Sequence, residues 1–76
     1  MIKDLTQLES KQKGKIIEIP NDSKTLKKLD ALGIRVGIEV LKLSSIFPKG
    51  PVIIQIGNTQ IALSHNIAKK IKVEIH

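Results

Sequence analysis

Residues 26–40 read LKKLDALGIRVGIEV, and the fold turns on how this stretch changes rhythm halfway. Leu26, Leu29 and Leu32 recur at helical spacing, which stops at Leu-Gly-Ile. After Gly37 the pattern restarts as a strand, IEVLKL. Gly33 stands where a helix ends on a left-handed residue, a conformation glycine adopts without the Cβ clash that other residues suffer. Upstream, Asp22 or Ser23 can cap the first free amides, so PNDSKTLKKLDALG reads as one short helix with both ends defined. Lys24, Lys27 and Lys28 share the face opposite the leucines, Gly37 suits a tight turn, and Arg35 projects from it.

Working outward, KDLTQLES sets Leu5 and Leu8 three apart, enough for one helical turn. KGKIIEI turns at Gly14 and runs apolar from Ile16 to Ile19, a strand closed by Pro20. Beyond the 26–40 stretch, SSIFPKGP is a loop broken by Pro48, Gly50 and Pro51. VIIQI and TQIAL flank Gly57-Asn58, a two-residue hairpin signal. SHNIAKK allows one helical turn capped by Ser64. IKVEIH then alternates, with Ile71, Val73 and Ile75 inward and Lys72, Glu74 and His76 outward. If one strand offers an exposed edge for pairing, IEVLKL is the candidate.

Composition bounds the rest. A chain of 76 residues makes one domain, 1–76. At that size only about 60–65% of the unfolded surface can be buried. There is no cysteine to cross-link the core or to bind metal as thiolate. Phe47 is the sole aromatic and, next to Pro48, reads as a packing residue. Isoleucine outnumbers leucine, and β-branched excess favours strands. No apolar run approaches the roughly 20 residues that span a bilayer. MIKDLTQLES resembles no export signal, so a cytoplasmic location is expected. The expected fold is therefore mostly β with short helices: a small, partly open barrel of about five strands.

The order of these segments resembles that of the FeoA domain. The resemblance rests on KLDALGI, the turn RVG, the strand IEVLKL, PKGPVIIQI, the hairpin GNTQIAL and the closing IAKKIKV, and it runs from Leu5 to Val73. It implies an SH3-like small barrel with helical insertions. It also implies a stand-alone cytoplasmic protein of bacterial ferrous iron uptake, associated with the membrane transporter FeoB. A similar domain closes DtxR-like metal-dependent repressors, where it is an interaction module. Two positions depart from the family pattern. Many members have Arg where this chain has Lys28, which keeps the charge and loses the planar fork. They often have Gly where it has Lys11, which suggests a less constrained turn before the first strand.

His65 has no cysteine to activate, Ser44, Ser45 and Ser64 lack a nucleophile-elbow setting, and the glycines fit no phosphate-binding loop, so no enzyme is expected. For ferrous iron the available ligands are His65, His76, Asp22, Asp30, Glu39 and Glu74. Glu74 and His76 share a strand face but sit at a terminus, so no metal site and no cofactor is expected. Net charge is +6, and twelve of the thirteen cations are lysine. Such a charge suits nucleic acid, anionic lipid or an acidic protein face, yet base stacking and base-edge readout would need more than one Phe and one Arg. A basic barrel that binds RNA or DNA, with no specific nucleic acid expected, is the second reading, and a metal-responsive regulatory domain like that of the repressors is a third. The leading expectation is a non-catalytic module that contacts the cytosolic face of a FeoB-type transporter through Lys28, Arg35 and Lys49. These would rim the leucines left uncovered on the helix, and homo-oligomers are compatible with it.

Overall fold

The computed structural model describes residues 1–46 and 48–75, so the readings made of Phe47 and His76 fall outside it. Six strands form one antiparallel sheet in the order β1-β6-β2-β3-β4-β5. They are β1 (Ile2–Asp4), β2 (Lys13–Glu18), β3 (Glu39–Ser45), β4 (Val52–Ile56), β5 (Thr59–Leu63) and β6 (Lys72–Glu74). Two helices interrupt them, α1 (Ser23–Ala31) between β2 and β3 and α2 (His65–Ala68) between β5 and β6.

The helix boundaries follow their capping residues. Asp22 is the N-cap of α1, its carboxylate accepting from the Thr25 amide at 2.9 Å. That hydrogen bond holds the Asp22 carboxyl below its ordinary pKa, with a smaller contribution from the charge of Lys70. At the other end Gly33 has φ +81°. Its amide bonds to Asp30 O (3.0 Å), and the Ile34 amide bonds to Leu29 O (2.9 Å). This pair of bonds is a Schellman motif, and Leu29 and Ile34, which flank it, are both fully buried. Ser64 caps α2 in the same way as Asp22 caps α1.

The hairpin also forms as the sequence predicts. Ile56 pairs with Thr59 across Gly57-Asn58, and of the two turn residues only Gly57 has positive φ (+58°), the signature of a type II′ turn. Alternation places Ile16, Val40, Val52, Ile54, Ile61, Leu63 and Val73 inside, packed with Leu5, Leu8, Leu29, Ile34, Ala68 and Ile71.

Three local expectations are corrected. The stretch holding Leu5 and Leu8 begins with a sixth strand, β1, after which Leu5 lies in a single turn closed by the Gln7 amide on Asp4 O (3.0 Å) and Leu8 in the bend beyond it. Asp4 makes the turn, its Oδ1 accepting from the Thr6 amide (2.8 Å), the Thr6 hydroxyl and the Gln7 amide (3.2 Å). Gly14 is not in a turn but inside β2, opposite Val40. A Cβ there would lie 3.0 Å from Val73 Cβ, so glycine is needed for the close approach of β6. Finally, the turn at Lys11 is tightly constrained: Lys11 is the only described non-glycine residue with positive φ (+68°), and its amide donates to Lys42 O at 2.6 Å.

Candidate interaction surface

Lys28 and Arg35 lie at the same end of the molecule. Lys28 is exposed in the last turn of α1, and Arg35 projects from the turn that follows it. That turn is tied to β2, with Gly37 N–H donating to Ile16 O (2.7 Å) and Ile16 N–H donating to Ile38 O (2.9 Å). Arg35 is not a free cation, since its Nε donates to Asp30 Oδ1 at 2.8 Å with both side chains in solvent. Lys49 is elsewhere. It follows β3 whereas Arg35 precedes it, and seven strand residues at about 3.3 Å each separate the two ends by roughly 20 Å. The loop of Lys49 borders Thr6 and His65 instead, through Ser45, Pro48 and Gly50.

Around Lys28 and Arg35 the apolar cover is incomplete. Of the three leucines of the helical stripe, Leu29 is buried, Leu26 half-buried and Leu32 38% exposed. Ile17 on the outer face of β2 (39%) and Val36 at the turn (59%) add to the patch. A shallow groove of about 320 Å³ lies alongside, lined by Ile19, Leu26, Lys27, Asp30, Ile34 and Arg35. Within the helical stripe only Leu32, the C-cap of α1, is exposed, and the rest of the uncovered apolar surface comes from Ile17 and Val36.

Positive charge gathers in a neighbouring groove that shares Ile19. This groove of about 590 Å³ next to the α1 N-terminus is lined by Glu18, Ile19, Pro20, Asn21, Lys69, Lys70 and Lys72. Among the described residues none of these lysines has an ion-pair partner within 4.0 Å; the two ion pairs are Arg35–Asp30 and the Met1 ammonium with Glu74. The described residues hold no group of three or more His, Cys, Asp or Glu placed to bind a metal ion. Among them, no helix is long and apolar enough to cross a membrane.

One buried cation escaped the sequence reading. Lys42 is 2% exposed on the inner face of β3, in series with Val40. Its Nζ donates to Thr6 O at 3.0 Å, while its backbone bonds Lys11 N and Gln12 O. Burial lowers the Lys42 pKa from its ordinary value, and the Asp4 charge partly opposes this. The legible signal was the lysine in an otherwise apolar period-two series, Ile38-Val40-Lys42.

The FeoA domain family model matches residues 3–75. No curated protein matches the sequence. Among solved structures, the crystal structure of an iron uptake regulatory protein, FeoA, superposes with a TM-score of 0.89 at 27% identity, covering 97% of each chain. The NMR structure of a FeoA-like protein from Clostridium acetobutylicum gives 0.82 at 28% identity, over 97% of this chain and 86% of that one. A manganese-dependent transcriptional repressor gives 0.89 at 18% identity, over 99% of this chain and 42% of that one, a likeness of fold. The expected SH3-like, mostly β architecture is the one observed, with six strands rather than about five.

Proposed function

The chain belongs to the FeoA domain family, and from that premise we propose that it is a non-catalytic cytoplasmic accessory protein of ferrous iron uptake, acting by contact with the cytosolic face of a FeoB-type transporter. The observation that carries this reading is the apolar patch of Ile17, Leu32 and Val36 beside Lys28 and the Arg35–Asp30 pair. Apolar surface ringed by polar and charged groups has the anatomy of a transient protein interface. Such a module regulates by binding two states of its partner unequally, and the difference in affinity sets how far the transporter equilibrium moves. Lys49, at the other end of β3, is a second contact only if the partner surface spans both ends.

The test is a binding titration against detergent-solubilised transporter and, in parallel, its cytosolic domain, at near-physiological salt so that non-specific charge attraction is screened. Saturable binding that Leu32→Ser or Val36→Ser weakens supports the reading. Absence of binding in every nucleotide state removes the transporter role.

A further inference from the structure

The two edges of the sheet are built differently. At one, β1 is three residues long and carries Lys3 and Asp4. Shortness and charge both discourage pairing with another chain. At the other, β5 runs for five residues, Thr59–Leu63, with no charge, no proline and an unbroken register against β4. Indeed the whole stretch Gly50–Ser64 lacks an ionisable side chain, in a protein of net charge +6. None of the usual devices that blunt an edge strand is present here.

The hairpin determines which groups face out. Ile56 and Thr59 flank a two-residue turn and are therefore a hydrogen-bonded pair. Antiparallel pairs alternate, so Ile54–Ile61 and Val52–Leu63 also exchange bonds. Gln60 and Ala62 accordingly aim their N–H and C=O away from β4. No backbone or side-chain partner among the described residues takes them, and both residues are exposed.

We propose that β5 pairs edge to edge with β5 of a second copy of this chain, antiparallel about a twofold axis at Ile61. In that register Gln60 of each copy lies opposite Ala62 of the other, and their four outward N–H groups meet four outward carbonyls. The two Ile61 side chains meet on the inner face and extend the core, while Gln60 and Ala62 remain on the outer one. A second copy is favoured over an unrelated strand because β5 meets its own requirements for length, register and pattern. It also lets two strongly positive bodies touch along a charge-free strand. Five residues of edge bury far less than the roughly 1,600 Å² of a standard stable interface, so the pair is transient. The proposal does not depend on the transporter reading.

The experiment is NMR of the whole chain over a dilution series from about 1 mM to about 20 µM, at low and at high salt; a transient pair requires concentrations in this range. The expected result is concentration-dependent amide shifts centred on Gln60 and Ala62, with slower tumbling at the top of the series. Added salt should strengthen the pair, because it screens repulsion between like-charged copies. Ala62→Pro removes an outward N–H that β4 does not use, and Ala62→Lys adds repulsion at the seam; either should abolish the shifts while the remaining amide spectrum is preserved. If proline disturbs the fold, the lysine variant alone decides. Spectra that do not change on dilution, or association that survives Ala62→Lys, overturn the proposal and leave the edge for a strand of another protein.

Discussion

A Cβ on Gly14 would sit 3.0 Å from Val73 Cβ and 3.3 Å from Glu74 O, so β2 and β6 touch where only a hydrogen can fit. Gly14→Ala relieves the flexibility of glycine in the unfolded chain, but the clash should dominate because Val73 is fully buried and has nowhere to shift. The expected loss is about 1–3 kcal/mol, read from the urea midpoint at an unchanged slope.

Lys11 offers the opposite case. Its φ of +68° strains an exposed residue whose side chain contributes no packing. Lys11→Gly removes the Cβ from the left-handed region at the cost of a looser unfolded chain. A net gain of about 0.5–1 kcal/mol is expected. Lys11→Ala, which keeps the Cβ, should give no such gain, and paired denaturation curves separate the two.

The Arg35–Asp30 pair is exposed on both sides and should contribute little to folding. Arg35→Ala is expected to cost under about 1 kcal/mol. Its effect should appear instead in slower association with the transporter and a shallower dependence of that rate on salt. A large loss of stability would assign Arg35 a structural role.

Lys42 makes stability respond to alkali. Its folded pKa lies below the ordinary 10.5, so between the two values the unfolded chain binds more protons. Stability contributed by Lys42 therefore rises with pH from the folded pKa and levels above 10.5. Comparing the wild type with Lys42→Met isolates the effect, since other lysines are common to both. The difference should move in the wild type's favour between neutral pH and about pH 10. A difference independent of pH would mean that Lys42 titrates as it does in the unfolded chain.

Much of this architecture is written locally. The α1 caps, the type II′ hairpin and the alternation around β6 need only neighbouring residues, and each formed where Asp22, Gly33, Gly57 and Val73 require. What the sequence concealed depends on distant partners. Gly14 looks like a turn residue until Val73 is brought against it. Lys42 interrupts an apolar alternation, but its burial depends on the carbonyl of Thr6, thirty-six positions away, giving its ammonium a partner. β1 was missed because three residues carry no periodicity and become a strand only by pairing with β6. The strand IEVLKL, the candidate for an exposed edge, is enclosed between β2 and β4, and the edges are β1 and β5. Among the site residues, adjacency of Lys28 and Arg35 was legible from one helix and its turn. The remoteness of Lys49 required the run of β3.

The placement of β6 between β1 and β2 has a consequence for how the protein is made. β1 is made long before the strand that joins it to the rest of the sheet, since Ile2 pairs with Glu74. Until Ile71 and Val73 are made, the strands β2 to β5 and α1 stand with one wall of their core missing. The sheet is thereby completed only once β6 is made, and its folding is governed by contacts between strands far apart in sequence.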